Sequence, residues 1–119
     1  PNMILPGSSC KEKVSSQEIA KKTMECLKKN VPSEVTGIAF LSGGQTEKEA
    51  SKNLNEINRL NKTNFTMTYS YGRALQQSAL KFWAKNIQNV KGTQEVFNQR
   101  AKMCSLASRG KWSEDLEKI

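Results

Sequence analysis

Apolar residues recur along the chain with two alternating periods. Ile19, Thr23, Cys26 and Leu27 follow helical spacing behind Ser15 and Glu18, which stand in the relation of a capping box, and Asn30 and Pro32 end the run. Gly37 then opens IAFLS, an apolar run short enough for a buried strand, which leads into Gly43 and Gly44. Thr46 and Glu49 make a second capping box, and Ala50, Leu54, Ile57 and Leu60 carry a second helical stripe. Residues 65–71, FTMTYSY, alternate large with small polar side chains, the period of a strand. Gly72 closes that strand, and a third helix starts at Arg73 with Ala74, Leu75, Ala79, Phe82 and Trp83 as its core positions. A fourth helix is expected over about 92–108, carrying Val96, Phe97, Arg100, Ala101 and Cys104, before Gly110 and a charged tail. Met3 to Leu5 has the character of the end of a strand, followed by a Pro-Gly-Ser loop.

The order is therefore strand end, helix, strand, helix, strand, helix, helix. Alternation of this kind predicts α/β architecture, with parallel strands joined by helical crossovers. Three parallel strands leave two open edges and a face that such sheets normally cover, so the pattern predicts part of a larger sheet. A stand-alone segment would then expose strand edges and the inner faces of Ile38, Phe40 and Tyr69.

Composition narrows the chemistry. The 119 residues suffice for one domain. Lys and Arg number 19 against 11 acidic residues, a net charge of +8, which favours an anionic partner. There is no histidine, so mechanisms built on imidazole are excluded for these residues. Cys10, Cys26 and Cys104 lie far apart with no zinc-ligand spacing, and read as isolated small hydrophobes in a reducing compartment. No metal ligand set and no cofactor motif is present. No apolar run reaches the length of a membrane span, and PNMILPG lacks the basic flank of a signal peptide, so a cytoplasmic location is expected. Two glycosylation sequons, at Asn61 and Asn64, read as surface polarity.

The glycines point to phosphate. A strand that runs through Ser42, Gly43 and Gly44 into a helix leaves backbone N–H groups that an anion can approach closely. Ser70, Gly72 and Arg73 repeat the device after the next strand, with a guanidinium able to grip a phosphate through two bonds. Each signal is weak alone, since glycines after a strand are commonly a plain turn. At the same end of neighbouring parallel strands they reinforce each other, and a phosphate held between the loops after its last two strands is a property of the (β/α)8 barrel.

LSGGQTEKEASKNLNEIN at 41–58 and SYGRALQQSALKFW at 70–83 resemble the signatures of class I fructose-bisphosphate aldolase. PNMILPG resembles the stretch that follows that family's Schiff-base lysine, and NVPSEVTG at 30–37 and AKMCSLASRGKW at 101–112 extend the likeness over essentially the whole chain. The resemblance implies a (β/α)8 barrel enzyme, usually a homotetramer, that cleaves fructose 1,6-bisphosphate to dihydroxyacetone phosphate and glyceraldehyde 3-phosphate without a metal. Residues 1–119 would be the C-terminal segment of that single barrel domain. Ser42, Gly43, Gly44, Ser70, Gly72 and Arg73 would bind the ketose phosphate. The imine-forming lysine would stand immediately before Pro1, which leaves no catalytic residue within the chain. Its own Lys11, Lys13, Lys21, Lys22, Lys28 and Lys29 fall in a loop or on polar helix faces. The family's mobile tail ending in tyrosine is replaced here by WSEDLEKI.

Three rival readings remain. A nucleic-acid-binding module would use the basic balance with Tyr69, Tyr71 and Trp83 as stacking groups, but the lysines are dispersed and the aromatics fall at core spacings. A non-catalytic aldolase-like scaffold would have no use for Ser42, Gly43, Gly72 and Arg73. Another phosphosugar-binding barrel would share the clamp without the long matched stretches.

Overall fold

The computed structural model describes residues 1–118. Helix α1 spans Ser16–Asn30, strand β1 Gly37–Phe40, α2 Glu47–Leu60, β2 Thr66–Tyr69, α3 Arg73–Lys85 and α4 Val90–Ala107, followed by a 3-10 turn at Glu114–Glu117. The two strands pair in parallel, with Ile38 opposite Met67 and Phe40 opposite Tyr69. The predicted first strand does not form. Residues 1–5 run irregularly beside the end of β1, where the Leu41 N–H donates to the Pro1 carbonyl at 3.0 Å. Met3 is nevertheless buried, so the apolar signal there marks packing without a ladder.

Helix starts follow the predicted chemistry. The Ser15 hydroxyl accepts from the Glu18 N–H. At α2 both halves of the capping box form: the Thr46 hydroxyl accepts from the Glu49 N–H at 3.2 Å, and the Glu49 carboxylate accepts from the Thr46 N–H at 2.9 Å. Gly110, at φ 67°, turns the chain out of α4 with its N–H on the Ala107 carbonyl.

Helix α2 is the hub, packing against α1, α3, α4 and β2. Phe40, Leu54, Ile57, Met67, Met103 and Cys104 are fully buried around it. Burying Leu54 or Ile57 stabilises the fold by roughly 1.5–3 kcal/mol each. Polar side chains knit the same surface. Asn58 Nδ2 lies within 3.2 Å of the Leu54, Met67 and Ala107 carbonyls, joining α2, β2 and α4. Asn55 Oδ1 accepts from the Trp112 N–H at 2.9 Å and fixes the chain beyond α4.

Several sequence expectations change here. Ile38 and Phe40 lie under the helices, 7% and 0% exposed; the bare face of β1 carries Gly37 and Ala39 instead, and Leu41 beyond its end is exposed as well. The side of β1 expected to be exposed is thus the covered one, because its larger side chains pack under the helices and leave the small ones on the bare face. Cys26 and Leu60 are exposed, and Ala20 and Met24 take the buried places on α1. Phe82 and Trp83 are 36% and 46% exposed, although their spacing put them in the core. Of the cysteines, Cys104 alone is buried, while Cys10 and Cys26 lie at the surface. The Asn61 side chain is spent locally: its Nδ2 donates to the Phe65 carbonyl at 2.7 Å and its Oδ1 accepts from the Thr63 N–H at 3.0 Å.

Candidate functional site

The parallel register sets the site. Because Phe40 pairs with Tyr69, Ser42 and Ser70 both emerge just past the C-terminal ends of their strands. The last bridging bond runs from the Ser70 N–H to the Phe40 carbonyl at 2.8 Å. A cavity of about 460 Å³ opens at this end, lined by Ser42, Gly43, Gly44, Ser70, Gly72 and Arg73 together with Leu41, Gln45, Thr46, Glu49 and Gln77. All six residues singled out from the sequence thus meet around one space.

Loop 42–44 is shaped locally. Gly44 has φ +79°, a conformation that side chains resist, and the Gln45 N–H returns to the Ser42 carbonyl at 3.1 Å. The Gly43 carbonyl accepts from Asn2 Nδ2 at 3.1 Å, so the first residues of the chain brace this loop from outside. The capping box of α2 occupies the N–H groups of Thr46 and Glu49, as its sequence predicts. The amides of Gly43 and Gly44 remain.

The other half is built differently. Helix α3 has Gly72 at its N-cap, no side-chain cap and no acidic residue in its first turn, in contrast to α1 and α2. A helix start left bare, beside a basic side chain, favours a bound anion. Among the described residues the Arg73 guanidinium has no ion-pair partner. A Cβ at Gly72 would meet nothing within 4 Å, so the cavity is open at this point. Tyr71, between Ser70 and Gly72, turns the opposite way into the core, and its hydroxyl donates to the Ala50 carbonyl at 3.0 Å. Burial raises its pKa, with the Cys104 thiol adding to the shift, and keeps the phenol neutral and donating.

Sequence reasoning missed Asn2 and Gln77. Gln77 lies one turn beyond Arg73 and was legible from helical spacing; Asn2 carried no local signal, because its partner is 41 residues away. Among the described residues no three His, Cys, Asp or Glu side chains cluster as ligands, and no helix is long and apolar enough to cross a membrane. A larger cavity, about 730 Å³, lies between α3 and α4 against Leu80, Trp83, Val90 and Phe97, and it has no charged group in its lining.

The chain is similar in sequence and backbone to known proteins. The family model for class I fructose-bisphosphate aldolase matches residues 1–119. Fructose-bisphosphate aldolase B of Sparus aurata is 50% identical over 113 residues, which cover 94% of this chain and 31% of that protein. Fructose-bisphosphate aldolase C-A of Danio rerio is also 50% identical, over 95% of this chain and 31% of the relative. The backbone superposes with a TM-score of 0.90 on the fructose-bisphosphate aldolase of Plasmodium falciparum, solved in a ternary complex with TRAP and a small-molecule inhibitor; it is 45% identical, and the match covers 95% of this chain and 33% of that one. The chain spans about a third of the length of the curated relatives it matches. On the match over its whole length and the identity to these enzymes, the chain belongs to the class I fructose-bisphosphate aldolase family.

Proposed function

We propose that this chain is the phosphate-holding, C-terminal part of an aldolase that cleaves fructose 1,6-bisphosphate to dihydroxyacetone phosphate and glyceraldehyde 3-phosphate through an imine. The observation that carries the reading is the meeting of Ser42, Gly43, Gly44, Ser70, Gly72 and Arg73 around one cavity at the C-terminal end of two parallel strands. In this reading β1 and β2 are the last two strands of a (β/α)8 barrel, and residues 1–119 belong to that single domain.

Each residue then has a task. The Gly43, Gly44 and Gly72 amides donate to phosphate oxygens at close approach, the Ser42 and Ser70 hydroxyls add donors, and Arg73 supplies the charge and a two-bond grip. Holding the phosphate at a fixed point places the sugar carbonyl for attack, so binding energy far from the reacting carbon is converted into orientation. The attacking amine is assigned to a lysine immediately before Pro1. Pro1 supports that assignment, because its carbonyl is bonded to Leu41 at the end of β1, beside the phosphate loop. No catalytic residue is assigned within residues 1–119. The enzyme is read as cytoplasmic and homotetrameric, as the resemblance to the family implies.

The test is borohydride trapping of the full-length protein with dihydroxyacetone phosphate, read by intact mass and peptide mapping. One triose phosphate adduct on the residue preceding Pro1 is expected. Failure to trap any adduct, with cleavage activity absent, would reject the imine reading and leave a phosphate-binding protein.

A further inference from the structure

The two halves of the clamp belong to different helices, and their spacing has to be fixed by something. Among the described residues, two side-chain links join α2 to residues 70–85, the loop at Ser70 and α3. One is the Tyr71 hydroxyl on the Ala50 carbonyl. The other is Glu47, the first residue of α2 after its N-cap. Its Oε1 accepts from the Ser78 hydroxyl at 2.8 Å and from the Ser78 N–H at 2.7 Å, reaching α3 beyond its first turn.

Glu47 is backed by a second layer of charge. Its Oε2 stands 3.9 Å from Arg100 Nε, a buried nitrogen with no hydrogen-bond partner. Arg100, on α4, is itself held from the other side: Nη1 and Nη2 donate to the two oxygens of Glu117 at 2.7 and 2.8 Å, and Nη2 also donates to the Ser51 hydroxyl at 2.7 Å. Trp112 Nε1 completes the set on Glu117 at 2.7 Å. A small cavity of about 250 Å³ lies among Glu47, Ser78, Arg100 and Glu117, so the 3.9 Å gap is not enforced by packing. A row of alternating charges therefore runs from the C-terminal turn through Arg100 to Glu47, and ends on the helix that carries Arg73.

We propose that Glu47 is a positioning residue for the phosphate clamp: its carboxylate fixes loop 42–44 against the start of α3, and the Arg100–Glu117 pair keeps that carboxylate in place. The inference rests on the clamp reading given above. Glu47 lies outside the lining of the clamp cavity and acts on the phosphate only through Ser78 and the spacing of the two helices.

The test uses the full-length enzyme with Glu47→Ala, Glu47→Gln, Ser78→Ala and, as a marker of the clamp, Arg73→Ala. KM and kcat are measured for fructose 1,6-bisphosphate, with the inhibition constant for inorganic phosphate. Losing a charge-assisted hydrogen bond that sets the spacing should raise KM and the phosphate constant about tenfold in Glu47→Ala, with kcat nearly unchanged. Ser78→Ala should move both constants in the same direction by less, and Glu47→Gln, which keeps an acceptor for Ser78, should recover most of the loss. Ser78 is exposed, so its variant folds and carries the test even where Glu47→Ala does not. If Arg73→Ala weakens binding while Ser78→Ala and Glu47→Ala leave KM unchanged, Glu47 is only structural and the inference fails. A Glu47→Gln variant as weak as Glu47→Ala overturns the hydrogen-bond account. If Arg73→Ala also leaves both constants unchanged, the clamp reading itself falls.

Discussion

Arg73 and the glycines around it separate the demands of folding from those of binding. The Arg73 side chain is exposed at the rim of the cavity, so Arg73→Ala should leave the melting temperature unchanged. A charge-assisted contact to a phosphate is worth about 1.5–3 kcal/mol, so kcat/KM of the full-length enzyme for fructose 1,6-bisphosphate should fall at least about tenfold. An unaltered kcat/KM would remove Arg73 from the clamp. Gly72→Ala is the complementary case: its φ is −93° and a Cβ there meets open space, so the variant should fold normally and lose affinity only if a phosphate comes close to that backbone. At Gly44 the constraint lies in the chain. An added Cβ would make an ordinary 3.9 Å contact with Leu5, but φ +79° should cost Gly44→Ala roughly 1–2 kcal/mol of stability, with Asn better tolerated. Denaturant titration of the three variants tells these cases apart. Glu117 supplies a pH dependence. Burial by itself would raise its pKa, but hydrogen bonds from Arg100 and Trp112 outweigh burial and hold it below the ordinary carboxylate value. A group depressed in the folded state contributes stability above its unfolded pKa and loses it as pH falls through the folded one. The C-terminal turn should therefore stay docked at neutral pH and release in acid, below about pH 4.3. In a Trp83→Phe background the emission of buried Trp112 reports the release, and Glu117→Gln should abolish the acid transition.

At the scale of elements, the sequence was most readable where one local rule acted alone. Thr46 and Glu49 announced α2, and both bonds of the box are present; Thr46→Ala should cost about 1 kcal/mol, seen as a lower denaturation midpoint. Gly110, at a left-handed φ, likewise marked the end of α4 correctly. Legibility failed where a neighbour decided the outcome. Which face of β1 is covered depends on helices packed from elsewhere in the chain, so alternation gave Ile38 and Phe40 a shared face without saying which side it meets. Residues 3–5 have the composition of a strand, yet a ladder needs a partner along their full length; the one backbone bond nearby joins Leu41, past the end of β1, to Pro1, and the Ile4 N–H donates instead to the Thr23 hydroxyl on α1. Asn53, Asn55 and Ser51 are polar yet buried on α2: Asn53 Nδ2 donates to Gln45 Oε1, Asn55 Oδ1 accepts from the Trp112 N–H, and the Ser51 hydroxyl accepts from Arg100 Nη2. The six residues that meet at the cavity were legible as a group because glycine, serine and arginine after a strand carry their own chemistry. Glu47 was not, since its partner Ser78 is 31 positions away.

For the molecule as a whole, the two strands are the informative feature. A parallel sheet is normally covered on both faces, and here one face of a two-stranded sheet carries exposed Gly37, Ala39 and Thr66 while the outer edge of each strand is unpaired. Exposed Leu80, Trp83, Ile87 and Val90 add apolar surface on the α3 and α4 side, each of them between 46% and 56% exposed. Such surface is what a larger barrel would cover, consistent with a chain that spans about a third of its relatives. Residues 1–119 expressed alone should therefore self-associate through open strand edges and apolar patches, despite a net charge of +8 that disfavours contact between copies. Sedimentation across a concentration series should show species larger than 13.3 kDa, and thermal unfolding should be broad and dependent on concentration. Adding salt should deepen the association by screening the like charges, which distinguishes it from pairing held by ion bridges. A monomer that melts in one sharp, concentration-independent transition would show that the helices on the covered face suffice for stability, and the proposal that these strands belong to a closed barrel would lose its physical basis.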